Sequence, residues 1–522
     1  MTTLQTYDLV PYPDFVHPRT NPDNIAAMVR LFGFNAVSLY DETSRVLELG
    51  CGQAGNLISL ASLYPESQFT GIDMSRGHIA AGQAIIDQLG LDNITLLVGD
   101  LSEFPHAREL TDEQNVFDFI LVHGVYSWVP DDVRRHVLRI CHDCLSPRGV
   151  TFISYNTLPG WHSKGLVREM LRHHVLTTMK SPMEPMAMIG EAKRFLADVA
   201  ESVPESTGYG KLLREEFRSL NASNEAYLFH EQFEAINEAR YFHQFVDETT
   251  ASGLQYVCEA SMSYVPSQST AMQRRIKSLP RLAREQYLDY LCNRTFRQSL
   301  LCRTDADVSI KDSPGAAAME PLWLSTEVTC SETDQELQIV NPDGASATLA
   351  SAVTKTAVQR LATIQHAAES FCDLCDEVID KSQTLEQQMI DRDLLRAELI
   401  QLAHFGMVRF NTGPLPLTRK VRKKPKCSAL ARLQATTSEF ATSQRHVAVR
   451  LDEATRHIIT LCDGQTDHAG ITEGMMSFVT REGVTLQHEG VSVTEPDVLR
   501  TVVADKILPN LQNLATMGFL VR

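Results

Sequence analysis

Glu48-Leu-Gly50-Cys51-Gly52-Gln-Ala-Gly55 sets three glycines behind a carboxylate, between a short apolar run and an amphipathic stretch. Glycines at such a point allow a tight turn and bring a ligand close to backbone N–H groups at a helix N-terminus. Gly50, Gly52 and Gly55 also satisfy the dinucleotide spacing G-x-G-x-x-G. Glu48 separates the two ligands. A carboxylate beside the loop repels a pyrophosphate but suits the cationic amino acid end of S-adenosylmethionine, which carries no phosphate. Thr70-Gly-Ile-Asp73 ends the next apolar run in an acid suited to accept from two ribose hydroxyls. Gly99-Asp100-Leu101 ends the run after that in an acid suited to an adenine amino group. Cys51, Asn56, Met74 and Leu101, beside these residues, join the expected cofactor contacts. The reading without a ligand makes every glycine a turn and every Asp a helix cap; the reading with a nicotinamide dinucleotide has Glu48 against it.

These residues act together only if three strands end side by side. Arg45–Leu49, Gln68–Ile72, Ile94–Val98, Phe117–Val122 and Gly149–Ser154 read as strands. Helices are expected through Ser59–Leu63 and over Ile79–Leu89 and Asp132–Cys144. Strands and helices alternating at this length imply right-handed crossovers and an α/β, Rossmann-like, doubly wound, mostly parallel sheet. Acids at the carboxyl ends of three consecutive strands then converge on the crevice where such sheets bind ligands.

Beyond Trp161 the pattern turns helical, over Leu166–Met179 and Glu191–Val199, with Pro182-Met-Glu-Pro185 between. Phe242–Ser252 reads as a helix stopped by Gly253, and Leu254–Cys258 as a strand returning to the first sheet. The intervening segment is therefore a helical cap. Gln273–Leu301 is expected to be helical, and Lys355–Leu361, Asp391–Phe405 and Asp452–Cys462 are the best helices of a mixed C-terminal half. Leu399–Phe410 reads helix–turn–strand, compatible with winged-helix-like modules. The expected division is a catalytic core over 1–165, its sheet completed by about 225–265, and a cap over 166–224. The helical part of a middle domain follows over 266–310, then C-terminal modules over 311–418 and 419–522.

The chain has 522 residues, 43% hydrophobic and 22% charged, enough for several packed cores and inconsistent with wholesale disorder. Its net charge of −17 opposes nucleic-acid binding. The basic run Arg419-Lys-Val-Arg-Lys-Lys-Pro-Lys426 has no interleaved aromatics and reads as a solvated linker. No apolar stretch spans a bilayer, no leader precedes Arg19, and the cysteines are odd in number, so a cytoplasmic chain with reduced thiols is expected. Cys141-His-Asp-Cys144 and Cys372-Asp-Leu-Cys375 have zinc-type spacing but lie within helical stretches, so no metal is expected.

The glycine loop, Asp73 and Asp100 look like the first three motifs of class I S-adenosylmethionine-dependent methyltransferases. Longer segments narrow the resemblance. They are Tyr12-Pro13, His17-Pro18, His123-Gly-Val-Tyr-Ser-Trp-Val-Pro130, Ser154-Tyr-Asn-Thr-Leu-Pro-Gly-Trp161, Tyr227-Leu-Phe-His-Glu231, Tyr241-Phe-His-Gln-Phe245 and Gly253-Leu-Gln-Tyr-Val-Cys-Glu-Ala260. Together they are similar to a bacterial family that carries a methyltransferase regulatory domain and includes rickettsial protein lysine methyltransferases acting on surface proteins. Ala54 stands where many members are expected to have glycine. The resemblance implies a methyltransferase with S-adenosylmethionine as cofactor and a protein substrate, such as a surface or outer-membrane protein.

Methyl transfer to nitrogen rests on positioning. A lysine acceptor must be neutral, against a free pKa of about 10.4, and an apolar, aromatic channel favours that form. Tyr126 and Trp128 follow the fourth strand; Asn156 and Trp161 follow the fifth. Tyr126 and Asn156 are expected to orient the acceptor nitrogen, with Trp128 and Trp161 as channel walls. His123 is expected to accept a proton or contact the cofactor, unless it is a structural histidine. Tyr12, with Tyr7, Phe15 and His17, precedes the first strand and either folds over the cofactor or packs on the sheet edge. Two alternatives stay open: a small-molecule methyltransferase, and a non-catalytic scaffold that senses the cofactor.

Overall fold

A computed structural model describes residues 9–10, 15–103, 116–179, 184–262, 269–332, 336–364, 367–483, 487–488, 491–492 and 495–522. Tyr7 and Tyr12 lie outside them. After a short 3-10 turn (Pro18–Thr20), α1 (Pro22–Leu31) is followed by β1 (Arg45–Leu49), α2 (Gly55–Leu63), β2 (Gln68–Asp73), α3 (Arg76–Leu89) and β3 (Ile94–Val98). Then come β4 (Phe117–Val122), α4 (Asp131–Asp143) and β5 (Leu145–Asn156). These strands form a sheet ordered β3-β2-β1-β4-β5-β7-β6, with β1 to β5 mutually parallel. Two further strands close it, β6 (Leu254–Glu259) at the edge and β7 (Phe296–Arg303) inserted between β5 and β6, antiparallel to both. The central strands are mostly apolar where both faces are covered. Val46, Phe119, Leu121 and Phe152 enter one core, while Leu47, Ile120, Val122 and Ile153 enter the other, the period of two expected of a pleated strand.

Between β5 and β6 lie α5 (Trp161–Thr178), α6 (Pro185–Ser202), α7 (Gly208–Ala222), α8 (Glu225–Phe233) and α9 (Phe242–Ala251). The first four share a separate apolar core that includes Leu171, Ile189, Leu196, Leu213 and Phe229, and so form the cap. The segment Gln273–Leu301 departs from the expected helix. It holds α10 (Thr270–Lys277), α11 (Arg281–Cys292) and then the strand β7. Asn293 adopts a left-handed conformation (φ 46°) that ends α11. Beyond it, buried pairing with β5 and β6 outweighs helical propensity.

The remaining chain begins with β8 (Trp323–Ser325), β9 (Thr329–Glu332), β10 (Leu337–Val340), β11 (Ser346–Leu349), α12 (Ala352–Thr363), β12 (Glu369–Ser370), α13 (Phe371–Val378), α14 (Leu385–His404) and β13 (Arg409–Asn411). Of its two small antiparallel sheets, β11-β10-β9 and β12-β8-β13, the sequence showed only β13, at the end of the helix–turn–strand read over Leu399–Phe410; the other strands are just two to four residues long. Leu324, Ile339, Leu361 and Phe410 join the core of the main sheet, so this segment is fused to it. Buried Asp23 of α1 ties the two together by accepting from the Asn411 amide (2.9 Å) and the Thr412 backbone N–H (2.6 Å). Last come α15 (Ala429–Thr437), β14 (Phe440–Thr442), β15 (Ala448–Arg450), α16 (Glu453–Leu461), α17 (His468–Glu482), β16 (Gln487–His488), β17 (Val491–Ser492) and α18 (Pro496–Thr516), around a core of their own. The basic run is only partly solvated: Arg419 donates to the Thr326 carbonyl (2.9 Å), while Arg422, Lys423 and Lys424 are exposed. Cys141 sits on α4 and Cys144 caps it, whereas Cys372 and Cys375 lie on α13. No helix among the described residues is long and apolar enough to cross a membrane.

Candidate active site

The turn after β1 is built by local geometry. Gly50 (φ 75°) and Gly52 (φ 56°) take left-handed conformations, and the Gly50 and Cys51 N–H groups donate to the Ile72 carbonyl. A Cβ on Gly50 would stand 2.5 Å from Val125 Cγ2, so this turn needs glycine for packing as well as for φ. Ala54 is also left-handed (φ 62°), caps α2 and is fully buried. Its methyl group is tolerated at a cost of about 1–2 kcal/mol in backbone conformation.

A cavity of about 800 Å3 opens over the carboxyl ends of β1 to β5. Glu48, Asp73 and Asp100 line it, one from each of the first three strands, together with Gly50, Cys51, Gly52, Asn56, Met74 and Leu101. Gly55, the first residue of α2, is not in the lining; it starts the helix. Asp73 Oδ2 accepts from the Gly52 N–H and Oδ1 from the Ser75 N–H, each at 2.9 Å. Burial opposes its charge, but the bond from His78 and those from the Ser75 and Gly52 backbones prevail and hold its pKa below the usual carboxylate range. Asp100 Oδ1 accepts from the Ser102 N–H (2.8 Å) and hydroxyl (2.7 Å). Glu48 Oε1 accepts from the Asn56 amide at 2.9 Å. Among the described residues the cations in the lining are Lys164 and Arg168 of α5. Lys164 is paired with Glu216 at 3.6 Å, and Arg168 Nε donates to the Glu231 carbonyl at 3.1 Å. Acids around the glycine turn, with the cations occupied elsewhere, suit a cationic nucleoside lacking phosphate and not a pyrophosphate.

His123, Trp128, Asn156 and Trp161 line the same cavity. The Asn156 amide donates to Asn237 Oδ1 at 2.9 Å, which sets its orientation. The His123 ring packs against that of His17, centroids 3.8 Å apart and planes tilted by 52°, and its Nδ1 is buried with no hydrogen-bond partner among the described residues. Burial first, and His17 second, push the His123 pKa well below 6.5. Burial also brings His17 down to about 4. Both rings are neutral near pH 7, and so weak a base does not suit His123 as the acceptor of the reaction's proton.

Tyr126 is the correction. It is fully buried behind the cavity wall, its ring 5.4 Å from Phe245 and 6.0 Å from Tyr155, and its hydroxyl donates to Glu248 of α9. The Trp128 N–H bonds the Val125 carbonyl, closing a turn in which Tyr126 faces the core while Trp128 lines the cavity. Several lining residues escaped sequence reasoning: Phe296 of β7, Glu216 of α7, and Tyr227 and Glu231 of α8. The Tyr227–Glu231 segment was visible as a motif, but nothing local to it showed that the cap folds over the crevice. Burial raises the Glu231 pKa, against a bond from Tyr227 and the charges of Lys164 and Arg168.

Three family profiles match the chain: "Methyltransferase domain" over 46–149, "Predicted methyltransferase regulatory domain" over 224–303, and "PKMT, C-terminal winged helix domain" over 423–519. The uncharacterized protein RP789 of Rickettsia prowazekii is 29% identical over 99% of this chain and 93% of its own length. RP028 of the same organism is 35% identical over 47% of this chain and 94% of its own. Among solved structures, PKMT2 from Rickettsia typhi in complex with AdoHcy superposes with a TM-score of 0.86 at 24% identity, covering 98% of this chain and 100% of that one.

Proposed function

The chain belongs to the bacterial family of class I S-adenosylmethionine-dependent methyltransferases that carry a methyltransferase regulatory domain, and from that premise we propose that it N-methylates lysine side chains of a protein substrate. The observation that carries this reading is the two-sided lining of one cavity. Glu48, Asp73 and Asp100 stand around the glycine turn, and Trp128, Trp161 and Asn156, with Glu216 and Glu231 of the cap, complete the same space.

S-adenosylmethionine, when bound, supplies an electrophilic methyl group on a sulfonium. Glu48 would hold its ammonium, Asp73 the ribose hydroxyls, and Asp100 with Leu101 the adenine. Asp73 meets that role already ionised and already oriented by two backbone N–H groups, so little reorganisation accompanies binding. Neutral His17 and His123 add no cation that would repel a sulfonium. For the acceptor, the two indoles replace the water around an incoming ammonium. Desolvation lowers the amine pKa and favours the neutral nucleophile. Indole faces also stabilise residual and product charge. Asn156, anchored by Asn237, orients the nitrogen, the role it was expected to share with Tyr126. The protein substrate is of the surface or outer-membrane class implied by the resemblance, and the reaction belongs to the cytoplasm.

The test is to incubate the full chain with methyl-labelled S-adenosylmethionine and a lysine-rich protein panel, mapping label by mass spectrometry. Label on lysine Nζ is expected. Label confined to small molecules overturns the acceptor, while binding of S-adenosylhomocysteine without any transfer favours a sensing scaffold. Glu48→Gln and Asp73→Asn are each expected to remove measurable cofactor binding in calorimetry; binding that survives both changes contradicts the assigned site.

A further inference from the structure

Residue 446 lies in the turn joining β14 to β15, far along the chain from the glycine loop, yet it is fully buried against the first turn of α2. His446 Nδ1 stands 2.8 Å from Ser59 Oγ, and Nε2 stands 2.9 Å from Asn56 Oδ1. The chemistry of each group assigns the protons. The Glu48 carboxylate only accepts, so the Asn56 NH2 must face it, as the 2.9 Å contact requires. Asn56 Oδ1 then faces the other way and takes hydrogens from the His17 backbone N–H (3.0 Å), from the Thr20 hydroxyl (3.1 Å) and from His446 Nε2. His446 is therefore the neutral Nε2–H tautomer, its Nδ1 accepting from the Ser59 hydroxyl. Burial and His17 bring its pKa down to about 3, in keeping with a ring that stays uncharged.

An Asn amide has nearly the same shape in its two flipped orientations, so its donors and acceptors decide which way it points. Flipping Asn56 would set its NH2 against two N–H donors and its oxygen against the Glu48 carboxylate. We infer that His446 is a positioning residue for the cofactor acid, through which the C-terminal segment holds the Asn56 amide toward Glu48. The left-handed backbone of His446 (φ 57°) is the local strain that accompanies this placement, of the kind that persists where the surroundings over-determine a residue. The cofactor site thus leans, through Asn56, on a group from the last hundred residues of the chain, although His446 itself does not line the cavity. This inference rests on the cofactor reading above.

The experiment is a calorimetric titration of the full chain with S-adenosylhomocysteine, in four forms: natural, His446→Ala, Asn56→Leu and the double variant. His446→Ala is expected to weaken binding about five- to tenfold, the scale of one buried hydrogen bond. In the Asn56→Leu background the same change should add less than twofold, because the effect passes through Asn56. His446→Gln, whose amide N–H can reach Asn56 Oδ1, should recover part of the loss. Unchanged affinity in His446→Ala, or an equal further loss on Asn56→Leu, overturns the inference. Failure of the natural chain to bind overturns the cofactor reading instead. If circular dichroism shows that His446→Ala does not fold, Ser59→Ala carries the test. It removes the hydroxyl that holds the ring and should weaken binding about two- to threefold; unchanged affinity there also overturns the inference.

Discussion

Gly82 on α3 faces the Gln53 carbonyl of the cofactor loop. A Cβ at this position would lie 2.5 Å from Gln53 O and 2.9 Å from Leu96 Cδ1; the leucine end can turn aside, but the backbone carbonyl cannot yield without moving the loop. Gly82→Ala is expected to cost about 1–3 kcal/mol of stability by overpacking. It should also weaken S-adenosylhomocysteine binding several-fold. Denaturant unfolding and calorimetry check both, and an unchanged affinity would show that the loop does not lean on this contact. For the acceptor, Trp128→Ala should raise KM for the protein substrate about tenfold or more while leaving the dissociation constant for S-adenosylhomocysteine within twofold. Equal losses in both would move Trp128 to the cofactor side of the cavity. At this scale Glu48, Asp73 and Asp100 were legible because each sits at a strand end beside a glycine turn. Tyr126 was misread because a single turn, closed by Trp128 and Val125, decides which aromatic faces the crevice.

β7 carries a second structural commitment, because it puts a fully buried arginine into the sheet. Arg297 donates to both Asp289 oxygens (2.9 and 2.8 Å) and to Glu259 (2.6 Å), and its guanidinium lies 4.1 Å from the centroid of the Phe242 ring. The network joins β7 to β6, α9 and α11, directly after Phe296 in the cavity wall. Arg297→Ala is expected to destabilise the protein by about 3–5 kcal/mol, because buried carboxylates lose their main partner. Arg297→Met should not restore the loss, since it fills the space but leaves those charges. Thermal unfolding distinguishes the outcomes: a midpoint within a degree or two of the natural chain for either variant would mean that water or Arg294 replaces the pairing. This Arg-rich segment read as helical in sequence, since nothing local announces that a strand will be buried between two others.

At the scale of the whole molecule, His17, His123 and His446 are brought together from the N-terminal segment, the end of β4 and the C-terminal hairpin. All three are neutral in the fold, with pKa values brought to about 4 for His17, about 3 for His446 and well below 6.5 for His123. Below pH 6.5 the unfolded chain binds protons that the folded chain refuses. Stability from these groups is therefore complete above about pH 6.5 and falls as pH drops toward about 4, by up to about 1.4 kcal/mol per pH unit for each ring. Asp73, with its depressed pKa, loses its contribution at still lower pH, with the same sign. The unfolding midpoint should fall markedly between pH 7.5 and 5.5, and His446→Gln should reduce that slope. A midpoint independent of pH over this range would contradict the burial of neutral rings.

Sequence alone determined the parallel sheet, the glycine turn, the three strand-end acids and the methyltransferase chemistry they suit. Each of these follows from periodicity or from spacing within a few tens of residues, where backbone geometry leaves few choices. Tertiary structure decided which cap residues enter the cavity, that β7 is a strand, that Tyr126 faces inward, and that His446 reaches Asn56. Those outcomes depend on packing between segments far apart in the chain, and the direction of a side chain there is set by its neighbours in space, which local pattern does not encode.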